Sequence, residues 1–268
     1  MYQKDLFKNK HVLVTGGRSG IGYGIAKQYL QLGASVTIAS RKQEPLEAAV
    51  VQLSEFGKCD GKPCDIRKVE DIEALADYIK SEHGKLDILI NNAGGQFPAP
   101  AELISPNGWA AVINNNLNGT FYVSQQMAKT FFIPQKNGTI VNITANVQRG
   151  FPGMAHTGAA RAGVENLTKT LSQEWAEHNI RVNAIAPGTI ASSGLDTYPT
   201  PMKKFFTQAK EENLMKRFGT VEDVANSVMF LSSPLSSYVG GVTLYVDGME
   251  HLSGDRMGLY KVLKGFMK

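Results

Sequence analysis

The stretch Thr15–Gly22, which reads TGGRSGIG, decides the fold that we predict for this chain. It follows an apolar run, His11–Thr15, and opens a segment of helical spacing, Ile21–Leu32. Glycines allow a tight turn and, lacking Cβ atoms, let backbone N–H groups approach a pyrophosphate at the helix N-terminus. With the next apolar run, Ser35–Ser40, the stretch indicates a dinucleotide-binding βαβ unit. The residues of this turn that we expect to contact the cofactor are Gly16, Arg18, Ser19, Gly20, Ile21 and Gly22.

The alternation of strands and helices continues along the chain. Further helices are predicted at Lys42–Phe56, Val69–His83, Trp109–Phe132 (ended by Pro134), His156–His178 and Glu222–Leu231. Further strands are predicted at Lys62–Asp65, Leu86–Asn91, Gly138–Thr144, Ile180–Ala186 and Thr243–Val246. This order predicts the α/β class, with one Rossmann-type, doubly wound parallel sheet and helices on both faces.

Two segments break the alternation. Residues 188–218 are rich in Ser, Thr and Pro and contain a helical stretch, Met202–Asn213. Long irregular insertions are often lids, so we expect a substrate loop there. The tail, residues 251–268, contains Met257–Lys268, which has the spacing of a short amphipathic helix. We expect both segments to belong to one domain spanning residues 1–268.

Composition excludes several classes of protein. The chain has 268 residues, of which 43% are apolar and 19% charged, and its net charge of +4 is not gathered into a dense basic block. These values favour a globular domain that acts on a small molecule and do not favour nucleic-acid binding. Cys59 and Cys64 fit neither a disulfide framework nor a zinc pattern, so no metal is expected. No apolar run reaches transmembrane length, and Met1–Asp5 is unlike a signal peptide, so we expect no membrane partner and a cytoplasmic location.

The end of the second predicted strand indicates which nicotinamide cofactor binds. An NAD site has Asp or Glu about 20 residues past the glycine turn, where it accepts from the ribose 2′-hydroxyl. Here Ser40, Arg41 and Lys42 occupy that region, and no carboxylate occurs before Glu44. With Arg18 they could surround a 2′-phosphate, which predicts NADP(H) as the cofactor. The alternative is a loop of solvated charges.

A second loop of small residues, Asn91–Gly95 (NNAGG), follows another strand. At the carboxyl end of a parallel strand, small residues let the backbone pass beneath a cofactor. Asn92, Ala93 and Gly94 are therefore predicted to contact it. On its own, the loop could equally be an ordinary turn.

Over almost its whole length the chain resembles the short-chain dehydrogenase/reductase family. The motifs that carry the resemblance are, in order, Thr15–Gly22, Asn91–Gly94, Asn116–Gly119, Gly138–Ile143, His156–Val164 and Ile180–Gly188. The resemblance implies a Rossmann-type fold with a parallel sheet of about seven strands, and a homotetramer. It also implies cofactor contacts at the adenine end by Asp65 and Ile66, and at the nicotinamide end by Pro187, Gly188 and Ile190.

The chain departs from the family pattern at its catalytic residues. Asn116 falls on the family's catalytic asparagine, but the catalytic serine falls at Ala145, with Thr144 beside it. The catalytic tyrosine falls at Thr157, and the lysine four residues on falls at Arg161. These departures place ordinary alcohol dehydrogenation in doubt.

A resemblance to a smaller group within the family covers these departures from the catalytic residues. The residues Asn91–Phe97 (NNAGGQF), Gly150–Pro152 (GFP) and His156–Val164 are similar to those of the peroxisomal trans-2-enoyl-CoA reductases and their bacterial relatives. The 2,4-dienoyl-CoA reductases are near cousins that typically keep a lysine at the position of Arg161 and a tyrosine near that of Val147. The dienoyl match is poorer for that reason.

Reduction of an α,β-unsaturated thioester explains why a tyrosine acid is not needed. Hydride adds at Cβ, and the negative charge passes to the thioester oxygen, so the site must first stabilise an enolate with positioned donors. Thr157 carries a hydroxyl donor, and Arg161 is a cation on the same helix face, four residues on. We expect Asn116, Thr157 and Arg161 to be catalytic, with Arg161 holding the nicotinamide ribose hydroxyls.

The sequence leaves the proton donor open among a water held by Asn116, His156, and Tyr198 in the predicted substrate loop. His156 could instead cap or pack the start of its helix, and Tyr198 could shape the pocket. Other residues near the motifs have simple structural explanations, namely Asn114 and Asn115 on a helix surface and Tyr122 and Trp175 in the core or an interface.

Three functions remain compatible with the sequence. The first is an NADPH-dependent reductase of an enoyl thioester. The second is an oxidoreductase acting on another lipid-like or terpenoid carbonyl or alcohol. The third is a cofactor-binding protein that has lost catalysis and acts as a sensor or subunit.

Overall fold

The computed structural model describes residues 2–192, 210–211 and 213–252. Its strands are, in chain order, β1 (His11–Thr15), β2 (Ser35–Ser40), β3 (Cys59–Pro63), β4 (Ile88–Asn91), β5 (Gly138–Ile143), β6 (Ile180–Pro187), β7 (Ile190–Ala191), β8 (Gly219–Thr220) and β9 (Thr243–Val246). Seven of them form one sheet in the order β3-β2-β1-β4-β5-β6-β9, with every neighbouring pair parallel. The predicted Rossmann-type α/β fold is confirmed. The two-residue strands β7 and β8 pair with each other and were not predicted.

Helices cover both faces of the main sheet. They are α1 (Gly20–Gln31), α2 (Gln43–Ser54), α3 (Val69–His83), α4 (Pro106–Ile113), α5 (Gly119–Met127), α6 (Ile133–Gln135), α7 (Ala155–Glu174) and α8 (Val221–Ser232). Val12 and Val14 of β1 pack on one face with residues of α1, α2 and α8, while Leu13 packs on the other with residues of α3, α5 and α7. Because both faces of the central strands are buried, these strands read as continuous apolar runs.

The long helix predicted at Trp109–Phe132 differs from the prediction in its extent and shape. Helical backbone runs from 106 to 135 and includes two wider π-helical turns, Asn114–Asn118 and Ala128–Phe132. Pro134 does not end the helix. Proline has no N–H to donate, and the second π turn, which lies just before Pro134, shifts the hydrogen-bond pattern of the helix at this point. The helix ends where Lys136 takes a left-handed conformation, with φ of 49°.

Other differences from the predictions are shifts of boundaries. The strand predicted at Lys62–Asp65 lies earlier, at Cys59–Pro63. As an edge strand it is only partly buried and has no apolar run to mark it. Tyr198, most of the stretch Met202–Asn213 and all of Met257–Lys268 lie outside the described residues.

A buried polar cluster closes the amino-terminal edge of the sheet. His11 is 1% exposed, and its ring stacks on that of His83 with centroids 3.8 Å apart. Its Nδ1 lies 2.9 Å from Ser35 Oγ, and its Nε2 lies 3.2 Å from Thr37 Oγ1. His83 Nε2 in turn lies 2.9 Å from Asp60 Oδ2. The cluster therefore joins β1, β2, β3 and the end of α3 at the edge opposite the predicted cofactor site.

This cluster predicts a specific loss of stability in weak acid. Burial, with the charge of His83 adding to it, lowers the pKa of His11 from 6.5 to about 3. Below pH 6.5 the unfolded chain binds a proton that the folded chain does not, so stability falls with pH until about pH 3. Between pH 7 and 5 the contribution of His11 to this loss is about 2 kcal/mol. Urea unfolding at pH 7 and pH 5 measures this loss in the free energy of unfolding. His11→Gln should lose less stability between the two pH values than the native protein does, by about that amount. Equal losses for the two proteins would contradict the assignment to His11.

Candidate active site

The two loops predicted to hold the cofactor are hydrogen-bonded to each other at the carboxyl edge of the sheet. The backbone N–H groups of Asn92 and Ala93 both donate to Thr15 Oγ1, at 3.0 Å. The Asn92 side chain donates back to the carbonyls of Thr15 and Gly16, at 3.0 and 3.2 Å. The glycine turn after β1 and the loop after β4 therefore form one continuous surface.

The glycines of this surface leave no room for side chains. Gly16 has φ of +67°, and a Cβ there would lie 2.9 Å from Ala93 Cα. A Cβ on Gly22 would overlap Asn92 Nδ2 and lie 2.5 Å from the Gly16 carbonyl oxygen. The first turn of α1 carries no acidic residue, and Ser19 makes no capping hydrogen bond with its side chain. The pyrophosphate of a dinucleotide fits this cradle, because α1 presents backbone N–H groups that no side chain caps.

The predicted adenine end carries several cations. Ser40 is nearly buried at the end of β2, whereas Arg18, Arg41 and Lys42 are exposed. Such exposed cations can reach a ligand phosphate without first breaking a buried contact.

Asp65 is already paired at this end of the site. Arg67 Nε donates to Asp65 Oδ1 at 2.8 Å, and this hydrogen bonding lowers the pKa of the Asp65 carboxyl, with a smaller contribution from Arg41. Ile66 between them is buried against Gly119. Sequence reasoning missed Arg67, although its place two residues after the predicted adenine contact was a usable signal.

Asn116 lies in the first π-helical turn and is fully buried. Its side-chain Nδ2 donates to the carbonyls of Gly95 and Val112, at 2.7 and 2.9 Å. Its Oδ1 accepts from the Gly95 N–H at 3.2 Å. Both amide hydrogens are therefore used in holding the loop after β4, and Asn116 can act through that loop and through its remaining oxygen lone pair.

A chain of buried polar side chains supports this turn. The Asn91 side chain donates to Asn142 Oδ1 and Ser124 Oγ, at 2.9 and 2.8 Å. Ser124 donates to the Thr120 carbonyl at 2.7 Å, and Thr120 Oγ1 donates to the Asn116 carbonyl at 2.9 Å. The chain connects β5 and β4 to the helix that carries Asn116. Sequence reasoning missed Ser124, Thr120 and Asn142 because polar residues within helices and strands give no signal of their own.

Arg161 is buried on α7, at 7% exposure, beneath the loop after β4. Its Nη1 donates to the carbonyl of Ile143, the last residue of β5, at 2.8 Å, and its Nη2 lies against Gly94. Burial lowers its pKa to about 10. Among the described residues, no side chain forms an ion pair with it, and Nε has no hydrogen-bond partner. The guanidinium thus keeps its charge, and the N–H at Nε is a donor left for a ligand.

Thr157 and His156 form the first turn of α7, and both are fully buried. The Thr157 N–H donates to His156 Nδ1 at 2.8 Å, and Thr157 Oγ1 lies 3.2 Å from the same nitrogen. The Phe97 ring packs on the imidazole in a T-shaped arrangement, with centroids 4.5 Å apart. Burial lowers the pKa of His156, against a smaller opposing effect of the Met154 backbone.

The residues at the family's serine position offer no acid. Thr144 donates both its N–H and its hydroxyl to the Ile185 carbonyl, at 2.7 and 3.0 Å. Ala145 has no polar side-chain atom, and Val147 is buried. The candidate residues on α7 and the π turn, namely Asn116, His156, Thr157 and Arg161, include no carboxylate and no phenol. Their hydrogen-bond donors can hold developing negative charge.

The segment after β6 borders the site on its other side. The Gly188 N–H donates to the Val246 carbonyl at 3.1 Å, and a Cβ on Gly188 would lie 2.8 Å from Asp247 Cα. Ile190 in β7 is buried against Gly219. Pro187 ends β6, so the three predicted nicotinamide contacts do lie together at the carboxyl edge of the sheet. Tyr122 and Trp175 pack against the core, and Asn114 is exposed.

Comparisons with known proteins agree with the fold and identify the family. A family model described as enoyl-(acyl carrier protein) reductase matches residues 16–248. A probable 2,4-dienoyl-CoA reductase of Bacillus subtilis is 38% identical, with the match covering 92% of this chain and 98% of that protein. A peroxisomal 2,4-dienoyl-CoA reductase of Rattus norvegicus is 39% identical over 92% of this chain and 86% of its own. The solved structure of a citronellol catabolism dehydrogenase from Pseudomonas aeruginosa superposes with a TM-score of 0.84, at 38% identity, over 94% of this chain and 98% of its own.

The described helices give no indication of a membrane-spanning segment, since none is both long and apolar enough to cross a bilayer.

The position of Gly94 predicts a large effect of a single methyl group. A Cβ there would overlap Arg161 Nη2 and lie 2.7 Å from Asn116 Oδ1. Gly94→Ala should therefore displace the guanidinium and weaken NADPH binding roughly tenfold or more, as overpacking typically costs about 1–3 kcal/mol. The control is Gly95→Ala, whose Cβ would meet first the movable Asn115 side chain, at 3.2 Å. Fluorescence titration with NADPH measures both variants, and equal affinities would contradict this placement of Arg161.

Proposed function

The chain belongs to the short-chain dehydrogenase/reductase family, and from that premise we propose that it is an NADPH-dependent reductase of the C=C bond of a trans-2-enoyl thioester, with enoyl-CoA as substrate. The observation that carries the proposal is the buried set of donors on α7. Where the family has tyrosine and lysine, this chain has Thr157 and Arg161, and both are buried. Without a phenol, the site is better suited to an enolate oxygen than to protonation of an alkoxide.

NADPH supplies the hydride for Cβ of the enoyl group. The residues of the chain hold the charge that then develops on the thioester oxygen. The single in-plane lone pair of His156 Nδ1 already accepts the Thr157 N–H at 2.8 Å, which leaves the Thr157 hydroxyl hydrogen free to donate to that oxygen. A water molecule delivers the proton to Cα, and the enolate electrons re-form the thioester carbonyl.

Arg161 orients the cofactor in this proposal. Its Nη1 is committed to the Ile143 carbonyl, and the unpartnered Nε is the atom that would donate to a nicotinamide ribose hydroxyl. Asn116 positions the Gly94–Gly95 backbone through its three hydrogen bonds. The exposed Arg18, Arg41 and Lys42, with Ser40, bind the 2′-phosphate of NADPH.

A 2,4-dienoyl-CoA is the second candidate substrate, because the relatives at 38% and 39% identity carry that activity in their names. It shares the conjugated thioester, so the same donors would serve. One structural relative is named as a citronellol catabolism dehydrogenase. A terpenoid carbonyl or alcohol is therefore the third compound to test.

We further propose a homotetramer in the cytoplasm. The edge strand β9 pairs only with β6 among the described strands. Leu235, Tyr238 and Leu244 near it are exposed apolar side chains, which a second copy would cover.

The proposed cofactor preference predicts a selective effect of Arg41→Ala. Loss of one charge-assisted contact to a 2′-phosphate costs about 1.5–3 kcal/mol, so the Kd for NADPH should rise roughly 10- to 100-fold. NADH lacks the phosphate and serves as the internal control, with an unchanged Kd. Fluorescence titration measures both, and equal losses for the two cofactors would exclude this role for Arg41.

The proposed reaction predicts the behaviour of Thr157→Val, which removes a donor at nearly constant shape. NADPH oxidation is measured by absorbance with trans-2-enoyl-CoAs, 2,4-dienoyl-CoAs, ketones and aldehydes. The native protein should turn over the conjugated thioesters, and Thr157→Val should lower kcat about 10²- to 10³-fold with little change in NADPH affinity. Arg161→Lys, the matched control, should keep much of the activity. Native binding of NADPH without turnover of any compound would support a sensor instead.

A further inference from the structure

We propose that His156 is a second oxyanion donor, whose Nε2–H binds the thioester oxygen of the acyl substrate alongside the Thr157 hydroxyl. The inference rests on the proposed function and names the group that completes its enolate site. It is argued from the tautomer of the ring, from its packing against the loop after β4, and from the missing acceptor.

The backbone of α7 fixes the tautomer of His156. The Thr157 N–H donates to Nδ1 at 2.8 Å, and a backbone N–H can only donate. Nδ1 must therefore carry its lone pair, and in the neutral ring the proton lies on Nε2. Because burial lowers the pKa of His156, the ring is neutral at physiological pH. The positive end of the α7 dipole disfavours an imidazolium at this position as well.

The imidazole lies between α7 and the loop after β4. Nδ1 contacts the backbone of α7, and Nε2 lies on the opposite side of the ring. The ring packs against Phe97 of the loop, with centroids 4.5 Å apart and 73° between the planes, and Phe97 is itself 38% exposed. His156 therefore borders the loop that is predicted to contact the cofactor.

Nε2 meets no hydrogen-bond acceptor at bonding distance and angle among the described residues, although the atom is buried. The Met154 backbone interacts with the ring and raises its pKa, by less than burial lowers it. Buried donors are paired in the great majority of proteins, and an unpaired one costs about 1–3 kcal/mol. A ligand that brings an acceptor removes this cost. The thioester oxygen of the acyl substrate brings such an acceptor, and it becomes a stronger acceptor as the enolate forms.

Chemically, a neutral imidazole suits this task. It donates a hydrogen bond without giving up its proton, so it stabilises charge without becoming an anion itself. The donation strengthens as electrons reach the thioester oxygen, which is the condition for lowering the barrier. No bond to hydrogen breaks in this step, and the proton for Cα still comes from water.

The competing explanation is that His156 only packs and caps the first turn of α7. Two substitutions separate the explanations, because each keeps one nitrogen position of the ring. His156→Asn keeps an acceptor where Nδ1 lies, and thus keeps the cap, but has no donor at Nε2. His156→Gln places an amide N–H near Nε2 and loses the acceptor at Nδ1. The experiment uses the full chain, trans-2-hexenoyl-CoA and NADPH.

The proposal predicts that His156→Asn lowers kcat about 10²- to 10³-fold with near-native Tm and NADPH affinity, while His156→Gln stays within about tenfold of the native kcat. With NADP⁺ in place of NADPH, the infrared carbonyl band of bound trans-2-hexenoyl-CoA should lie lower in the native protein and in His156→Gln than in His156→Asn. A native kcat and an unshifted band in His156→Asn would overturn the proposal.

A measurement on the native protein covers the case in which a variant does not fold. With ¹⁵N-labelled histidine, His156 should carry its proton on Nε2, and that resonance should shift when trans-2-hexenoyl-CoA is added with NADP⁺. A proton on Nδ1, or no shift at saturation, would overturn the assignment. If the native protein reduced no enoyl-CoA, both the proposed function and the role of His156 would fail. If the native protein reduced enoyl-CoA but the variant, infrared or NMR results were negative, only the role of His156 would fail.

Discussion

The candidate active site of this chain depends on a guanidinium that is buried without a carboxylate partner in the described residues. A buried charge is expensive unless its donors are satisfied, and Arg161 satisfies one of them on the carbonyl that ends β5. The loop after β4 must then run directly over the guanidinium, which is possible only because Gly94 has no side chain. The buried N–H at Nε has no partner among the described residues, so it is available to a cofactor.

The second requirement is that this loop stays where Arg161 needs it. Asn116 fixes Gly95 by hydrogen bonds in both directions, and Asn116 itself is held by the π-helical turn. The buried chain from Asn142 through Asn91 and Ser124 links that turn to two central strands. Satisfied polar networks of this kind rigidify a core, and an interrupted one would leave several buried groups without partners. The precision of the site therefore comes from residues that need not touch the substrate.

The replacement of tyrosine and lysine by Thr157 and Arg161 changes what the first turns of α7 can do. A phenol beside an ammonium can deliver a proton to an oxygen. A hydroxyl, a neutral imidazole and a guanidinium each present a hydrogen-bond donor, and here they are buried where such bonds are strong. The same helix and the same cofactor surface are thus compatible with reduction of a conjugated double bond, in which an oxyanion must be held before carbon is protonated.

Much of the fold followed from local pattern. The sequence pattern predicted the glycine turn between β1 and α1, the apolar central strands and the amphipathic helix α3 at Val69–His83. A strand that is buried on both faces gives a continuous apolar run, and an amphipathic helix gives apolar residues at helical spacing. The pattern failed at the edge strand β3, whose residues are only partly buried, and at Pro134, whose missing N–H is accommodated by a π turn that has no sequence signature.

By itself, the sequence determined the fold class, the glycine cradle and the identity of the residues that replace tyrosine and lysine, since these depend on residue type and spacing along one segment. Only the tertiary structure decided which donors remain free. Asn116 uses both amide hydrogens on its neighbours, Thr144 gives its hydroxyl to Ile185, and Arg161 keeps Nε while His156 keeps Nε2. The physical reason is that hydrogen-bond partners come from strands and helices distant in the chain, so their geometry is set by packing and not by local pattern.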